Sequence, residues 1–276
     1  MDLLSTLLSR FSLRAGVFYT GNICGIHDFP GDILRGHIHL IRQGPVQVIG
    51  VQAESFVITQ PTLLFLPRPD HHRLVADERS GADVVCGTVQ FGGVGANPIT
   101  DSLPDVVRVE LACLQGIEAL LGLMFDEAFA EGAGRQAALD RLCEVLMIRL
   151  LRYCMAHGLA QGGTLAGLAD LRLAKTLAAL HDDPAAPWTL PGMAALAGMS
   201  RARFAVRFHE ITGVTPADYL ASWRVMTAQD LLKRGWPLKQ VAGDVGYASA
   251  SAFARAFIRK RGCSPTEWLK GDQATL

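Results

Sequence analysis

The sequence places two histidines where they could hold a metal ion. His37 and His39 are two residues apart in a predicted strand, and alternate side chains of a strand point to the same side. Imidazoles on one side can share an ion, since histidine nitrogen is a common metal ligand. The alternative is a metal-free arrangement in which these histidines form hydrogen bonds or belong to the core.

The cysteines do not form a structural pattern of their own. They are Cys24, Cys86, Cys113, Cys143, Cys154 and Cys263. Neither the density of a secreted disulfide scaffold nor the paired spacing of a zinc finger is present. The first ten residues do not resemble a signal peptide, and no stretch reaches the roughly 18 apolar residues of a membrane span. The sequence therefore predicts a soluble, cytoplasmic protein without membrane contact.

The elements that must position these side chains begin with strands. The chain has 276 residues, of which 50% are hydrophobic and 19% charged, enough for about two domains at roughly 100–200 residues each. Disorder and collagen-like repeats are excluded. Runs at 46–49, 55–59 and 83–91 are rich in β-branched residues and bounded by Gly, Pro or Asp, which predicts antiparallel strands.

The pattern becomes helical after residue 104. Apolar residues recur at helical spacing from 105 to 157, and a glycine-rich break at 131–134 divides them into two helices. Everything beyond the linker at 161–164 is helical in pattern. We therefore predict an α+β multidomain chain. Its parts are an antiparallel β sandwich or barrel at 1–104, a helical pair with its linker at 105–164, and an all-α domain at 165–276.

The zero net charge hides an asymmetry between the two halves of the chain. Residues 1–165 carry 12 Lys and Arg against 17 Asp and Glu, whereas residues 166–276 carry 14 against 9. A basic half attached to an acidic one indicates a polyanionic partner, with nucleic acid as the first candidate.

One pattern occurs twice in the basic half, at 188–220 and at 236–268. Gly198 and Gly246 align and would allow a sharp turn between two helices. A serine then caps the next helix at its N-terminus, and two phenylalanines one turn apart fix that helix to the core. These residues are Ser200, Phe204 and Phe208 in the first copy and Ser249, Phe253 and Phe257 in the second.

Each copy is typical of a helix-turn-helix unit. A single match would fit an ordinary helical hairpin equally well, but two in tandem disfavour that alternative. Arginine beside small or methyl-bearing side chains on the second helix suits contact with base edges in the major groove. The expected DNA-contacting residues are Arg201, Ala202, Val206, Arg207, Ala250, Ser251, Arg255 and Arg259. The expected phosphate contacts are Lys233, Arg234, Lys260 and Arg261.

A long helix is predicted between the copies, from Pro216 to Arg234. If it is rigid, it holds the two reading helices about one turn of DNA apart, roughly 34 Å. Binding through so many cations should weaken steeply with salt.

Residues 188–268 resemble the paired helix-turn-helix domain of the AraC/XylS family of bacterial transcription regulators. The segments closest to its signature are 244–257 and 262–265. The resemblance implies a non-enzymatic regulator that binds promoter DNA and acts with RNA polymerase. Gly243 departs from the family, which commonly has a bulkier helix former there. Pro191-Gly192 is the second departure: the proline fits a first helical turn, but Gly192 weakens the first helix of the first copy.

The N-terminal part resembles the cupin-like sensor barrel of some AraC-family regulators. The pattern G-x5-H-x-H-x3-Q ends at Gln43, and the pattern P-x-P-x-x-H ends at His72. The resemblance implies His37, His39 and His72 as candidate metal ligands. Gln43 stands where the family usually has glutamate, and an amide binds metal poorly, which favours the metal-free alternative.

The same resemblance bears on the signal that the barrel senses, an oxidant or a small ligand. Members that respond to reactive chlorine have cysteines at places similar to Cys24 and Cys86, which implies a redox pair. A sensor thiol needs exposure and nearby positive charge, and Arg14, Arg35 and His27 are the expected neighbours. Two buried cysteines acting as small hydrophobes are the alternative. We expect the other four cysteines to pack in the core.

An apolar stripe on the helical pair could join two copies of the chain. It includes Leu120, Met124, Leu146 and Leu150. Core packing is the simpler explanation, but symmetric dimers are common among oligomers, and we expect a homodimer. The rival interpretation of the whole chain is a metal-dependent cupin dioxygenase or isomerase with a helical appendage, which would need a bound metal.

Overall fold

The computed structural model describes residues 3–31, 35–51, 54–92, 97–114 and 116–273. The chain divides into two compact units, Met1–Ala166 and Gly167–Leu276. The helical pair therefore belongs to the same unit as the strands. Among the described residues, no helix has the length and apolar character needed to cross a membrane.

The first unit combines helix α1 (Leu3–Arg10) with two antiparallel sheets. The described strands are β1 (Leu13–Ile23), β2 (Gly25–Phe29), β3 (Gly36–Gln43), β4 (Val46–Val51), β5 (Glu54–Ile58), β6 (Thr62–Leu66), β7 (His72–Ala76), β8 (Ala82–Phe91) and β9 (Val107–Glu110). One sheet has the order β1-β8-β3-β6-β9 and the other β2-β7-β4-β5. The predicted strands at 46–49, 55–59 and 83–91 correspond to β4, β5 and β8.

The two sheets pack face to face around an apolar core. Val48 and Leu74 from the smaller sheet and Leu64 and Val84 from the larger sheet are among its fully buried members. Strand β3 runs through the middle of the larger sheet and is buried from Gly36 to Ile41. This sandwich confirms the predicted antiparallel β domain.

Two helices, α2 (Glu118–Phe129) and α3 (Arg135–Ala156), complete the first unit. The pairing of β1 with β8 has an irregularity between Val17 and Tyr19. Beside it, the backbone N–H of Val17 donates to Asp140 Oδ1 (3.1 Å), and Gln136 Nε2 donates to the Val17 carbonyl oxygen (2.6 Å). Side chains of α3 thus take up the backbone groups of β1 and attach the helical pair to the sheet.

The predicted dimerisation stripe is wrong in its residues. Met124, Leu146 and Leu150 are fully buried within the first unit, and Leu120 is half-buried. The reason is that α3 packs against both β1 and α2, so its apolar positions are covered on two sides. These side chains form core, which was the simpler alternative.

The second unit is helical throughout. Helix α4 (Gly163–Ala169) leads into it, followed by α5 (Leu173–Asp182), α6 (Leu190–Leu196), α7 (Arg201–Thr212), α8 (Pro216–Lys233), α9 (Leu238–Asp244), α10 (Ala250–Arg261) and α11 (Pro265–Gln273). Helices α6 and α7 form the first helix-turn-helix unit, and α9 and α10 form the second. The predicted long helix between them is α8, which packs against both α7 and α10.

Candidate nucleic-acid interface and histidine cluster

The two reading helices, α7 and α10, start and end in the same way. Ser200 Oγ accepts a hydrogen bond from the Arg203 N–H (3.4 Å), and Ser249 Oγ accepts one from the Ala252 N–H (3.2 Å). These are N-caps of the kind that serine provides. Each helix has twelve residues and ends at a glycine with φ of +76°. The predicted caps are therefore confirmed in both copies.

The turn of the second helix-turn-helix, between α9 and α10, requires glycine for two reasons. Gly246 has φ of +85°, a conformation that other residues rarely adopt. A Cβ at this position would also lie 2.8 Å from the Cα of Ala185 and 2.9 Å from its carbonyl oxygen. The turn between α9 and α10 thus packs directly on the segment that precedes α6.

The phenylalanine pairs fix the inner face of each reading helix. Phe204, Phe208, Phe253 and Phe257 are all 0% exposed. Ring centroids lie 5.5 Å apart in the first pair and 5.6 Å apart in the second. With these faces buried as predicted, the opposite face of each helix is directed to solvent.

That solvent-facing surface carries most of the predicted DNA-contacting residues. The exposed members are Arg201, Ala202, Val206, Ser251, Arg255 and Arg259, and Ala250 is half-buried. Val206 is an apolar side chain that is 57% exposed, as expected for a residue that contacts thymine methyl groups. We call this set, with Ala250, the reading surface.

Two predicted cations are engaged within the protein instead. Arg207 Nε lies 3.1 Å from Asp170 Oδ2, and a second guanidinium nitrogen of Arg207 pairs with the same oxygen. Arg261 donates to Gln229 Oε1 on α8. Both arginines are only partly exposed. Each guanidinium group joins its reading helix to a neighbouring segment, and the assignment of these two arginines to DNA stays a prediction.

The predicted phosphate contacts differ in exposure and in their partners. Arg234 is exposed, and Lys233 lies over the Trp268 ring at 5.4 Å from its centroid. Lys260 Nζ is 3.4 Å from Asp218 Oδ1, and the Asp218 side chain is largely exposed. A surface pair of this kind is weak, so a phosphate group could replace the aspartate.

Arg224 joins the two helix-turn-helix units, and sequence reasoning missed it. From α8, its Nε donates to the Pro184 carbonyl oxygen (2.8 Å) and an Nη donates to the Ala186 carbonyl oxygen (3.1 Å). Its guanidinium carbon lies 5.5 Å from the centroid of the Tyr247 ring. This side chain therefore contacts both the segment before the first helix-turn-helix and the turn of the second helix-turn-helix. No local signal in the sequence identifies such a contact.

The three predicted histidines meet between the two sheets. His39 Nε2 lies 2.7 Å from His72 Nε2, and the His37 ring centroid is 5.1 Å from that of His72. His72 Nδ1 lies 3.0 Å from the Asp70 carbonyl oxygen. Since a carbonyl can only accept, His72 Nδ1 carries the proton, and His39 Nε2–H donates to His72 Nε2. Both rings are neutral in this arrangement.

Burial reinforces the neutral state. Desolvation, with further contributions from His72 and His37, holds the pKa of His39 well below its usual value. Desolvation also lowers the pKa of His72, although the Asp70 carbonyl opposes the change. The Phe29 ring stacks on His72 at 5.3 Å between centroids, which contributes to the dry surroundings of the pair.

This geometry does not fit a metal centre. Two nitrogens bound to one ion at about 2.0–2.1 Å in tetrahedral geometry lie about 3.3 Å apart, and the His39 and His72 nitrogens are closer and hydrogen-bonded. Gln43 is exposed at the end of β3, after an irregularity in its pairing with β8. Among the described residues, no group of three or more His, Cys, Asp or Glu has a metal-binding arrangement. The geometry favours the metal-free alternative.

The structure does not bring Cys24 and Cys86 together. In the pairing of β1 with β8, Ile23 lies opposite Ala82 whereas Tyr19 lies opposite Cys86. The four residue steps from Ala82 to Cys86 span about 13 Å, well beyond the Cα separation of a disulfide. Cys86 is buried in the core, and desolvation raises the pKa of its thiol.

Cys24 alone of this pair is accessible. It is exposed, and its thiol donates to Asn22 Oδ1 (3.3 Å). His27 is a neighbour as expected, with its Nε2 3.2 Å from the Cys24 carbonyl oxygen. Arg14 is not, because it pairs with Gln90 at the other end of β1.

Among the remaining cysteines, Cys143 and Cys154 are buried and Cys263 is half-buried. Cys113 was expected in the core and is exposed instead. It lies in a single turn of 3-10 helix, Leu111–Cys113, between β9 and α2. The apolar residues around it in the sequence belong to this turn and do not bury it.

Comparisons with known proteins agree with this architecture. A family model described as Cupin matches residues 2–156, and a model described as Helix-turn-helix domain matches residues 193–271. A putative AraC-like transcription regulator of Streptomyces antibioticus is 33% identical over 98% of this chain and 97% of its own. The RCS-specific HTH-type transcriptional activator RclR of Escherichia coli is 29% identical over 83% of this chain and 82% of its own.

A solved structure is also similar along most of the chain. The unsaturated fatty acid-bound ToxT from Vibrio cholerae is 16% identical, covers 94% of each chain and has a TM-score of 0.42.

Proposed function

Since the chain belongs to the AraC family of transcription regulators, with an N-terminal cupin domain and a C-terminal helix-turn-helix domain, we propose that it regulates promoters by inserting α7 and α10 into successive turns of the major groove. The observation that carries this proposal is that α7 and α10 both pack on α8 and that each directs one surface to solvent. The two helices share the same caps and the same buried phenylalanines, and Arg224 bridges the segments around them.

The residues of the reading surface divide by chemistry. Arg201 and Arg255 are the candidates for bidentate contact with guanine, and Val206 and the alanines suit thymine methyl groups. Arg259 and Ser251 complete the surface. Lys233, Arg234 and Lys260 are assigned to phosphates, which fix the register of a protein on DNA without reading its sequence.

The signal enters through the first unit in this proposal, as an oxidant or a small ligand. Cys24 is the accessible thiol of the predicted pair, and the relative in Escherichia coli bears a name that refers to RCS. We assign the change that follows to the docking of α3 on β1. A ligand or a modified thiol that favours one arrangement of α3 on β1 would change the fraction of molecules whose helix-turn-helix domain can bind DNA.

Further partners follow from this role. We propose a cytoplasmic protein that acts with RNA polymerase and forms a homodimer, since two-fold dimers are the commonest oligomers; each copy would read its own pair of half-sites. The metal-dependent cupin enzyme is the weaker interpretation. The relatives are named as transcription regulators, and the hydrogen-bonded histidine pair lacks the geometry of a metal centre.

A selection experiment tests the proposed function. The full chain is used to enrich duplexes from a random DNA library, and the bound pool is sequenced. We expect a motif with two half-sites whose centres lie about 10 base pairs apart, one helical turn. A pool that stays random after repeated rounds would refute sequence-specific binding by this chain.

A further inference from the structure

A pocket opens beside the C-terminal end of α3, away from the histidine cluster. It encloses about 320 Å³, and its lining includes Cys113, Leu114, Ile117, Arg149, Arg152 and Tyr153. Leu114 and Ile117 are buried and form apolar surface within it. All of the lining residues belong to the first unit, and neither the reading surface nor Cys24 contributes to it.

The cations of this pocket differ from three other arginines of the first unit, which form ion pairs. Arg68 pairs with Asp105, Arg73 with Asp28, and Arg141 with Glu144. Arg149 and Arg152 form no ion pair with any carboxylate of the described residues, and no Asp or Glu lines the pocket. Two guanidinium groups at one concave site are a strong recognition element for a carboxylate or another oxyanion.

The remaining wall of the pocket is aromatic. The Tyr153 and His157 rings stack at 4.0 Å between centroids with an interplanar angle of 22°. Arg149 extends over the turn at Gly116, where a Cβ would lie 3.7 Å from one of its terminal nitrogens. Stacked rings next to buried leucine and isoleucine favour a flat apolar body, while the arginines favour a negative group at its edge.

We propose that this pocket binds a small aromatic carboxylate, with the acid group at Arg149 and Arg152 and the ring against Tyr153 and His157. Its volume admits a body of one or two fused rings. The assignment of this ligand as the regulator's effector rests on the proposed function, because α3 is the helix attached to β1. The binding site itself does not depend on that role.

Calorimetric titration of the full chain with 2-naphthoate tests the site directly. We expect one saturable site per chain. The neutral isostere 2-naphthamide should bind at least about tenfold more weakly, since it lacks the charge-assisted contacts. Arg149→Gln and Arg152→Gln should each weaken 2-naphthoate binding by a similar factor, and Arg141→Gln, on the same helix and paired with Glu144, should not. Absence of saturable binding, or equal binding of the amide, overturns the proposal.

Cys113 provides an internal reporter that needs no substitution. Alkylation of this exposed thiol by N-ethylmaleimide, followed by peptide mass spectrometry, should slow when 2-naphthoate is bound and should not respond to sulfate. An unchanged rate at saturating 2-naphthoate would place the ligand elsewhere and refute the site. Enrichment of a DNA motif is measured without 2-naphthoate. A negative result for the pocket therefore does not affect the test of DNA binding.

Discussion

The guanidinium group of Arg224 lies 5.5 Å from the centroid of the Tyr247 ring while two of its nitrogens donate to the carbonyls of Pro184 and Ala186. This single side chain of α8 therefore holds the turn of the second helix-turn-helix unit against the segment that precedes the first. A protein that reads two turns of a duplex needs such a joint, because both half-sites must be engaged at a fixed spacing.

Replacing Arg224 should uncouple the two helix-turn-helix units without unfolding either helix pair. We expect Arg224→Ala to lower the affinity for a two-half-site duplex by about tenfold or more, and to reduce the free energy of unfolding by roughly 1.5–3 kcal/mol through loss of the charged hydrogen bonds. Arg224→Lys should not restore affinity, since one ammonium cannot donate to both carbonyls and also stack on Tyr247. Anisotropy titration and denaturant unfolding measure the two effects. Unchanged affinity in both variants would show that the joint is unimportant.

The turn at Gly246 allows a matched comparison between two glycines of one hairpin. Gly246→Ala should destabilise the protein by about 1–3 kcal/mol, because a positive φ is strained for alanine and its Cβ would overlap Ala185. Gly243→Ala lies within α9, where the added methyl group meets nothing within 4 Å. It should raise stability by up to about 1 kcal/mol. Thermal unfolding of both variants decides the matter, and equal effects would contradict the packing described for the turn.

Arg207 should behave as a structural residue. We expect Arg207→Ala to lower the free energy of unfolding by about 1 kcal/mol for this partly exposed pair. Asp170→Ala should cost more, because its carboxylate also accepts from the N–H groups of Arg172 and Leu173, and the double variant should cost little more than Asp170→Ala alone. Arg201→Ala, one helical face away, should leave stability unchanged and weaken DNA binding. A double-mutant cycle in denaturant provides the test. Additive losses would show that the ion pair contributes nothing.

The His39–His72 pair predicts that the first unit loses stability in acid. Burial lowers the pKa of both imidazoles in the folded state, so the unfolded chain binds protons that the folded chain does not. Stability is therefore complete above the unfolded pKa of about 6.5 and falls below it by up to about 1.4 kcal/mol per pH unit for each group. Unfolding at pH 7.5 and 5.5 measures the loss. His39→Gln should reduce the pH dependence, and an unchanged dependence in this variant would contradict the assignment.

Local patterns in the sequence were sufficient for much of this structure. The serine caps, the turn glycines and the phenylalanine pairs lie within a few residues of one another, and short-range geometry fixes their roles. The strands at 46–49 and 83–91 were likewise predicted from β-branched composition. Each of these features depends on neighbours in sequence, which a single chain displays directly.

Contacts between distant segments were not predictable in this way. Arg207 has the residue type and helical position of a DNA contact, and only the folded chain shows that its guanidinium group pairs with Asp170, from the bend between α4 and α5. Met124 and Leu146 were compatible with a dimer interface, and the packing of α3 against β1 and α2 buries them instead. Cys113 lies among apolar residues in the sequence, but the turn that contains it leaves it exposed. These outcomes depend on tertiary packing, which the spacing of apolar residues along the sequence does not report.

The central claim is that α7 and α10 each read one half-site, and specificity profiling of single variants tests it most directly. Arg201→Ala and Arg255→Ala are each used to select duplexes from a random library, beside the parent chain and the exposed control Lys175→Ala. We predict that each arginine variant relaxes base preference in one half-site only, by about 1–3 kcal/mol at the contacted base pair, and that the two affect opposite half-sites. The control should reproduce the parent motif. Variants that both retain the full motif, or that both relax the same half-site, would contradict the account.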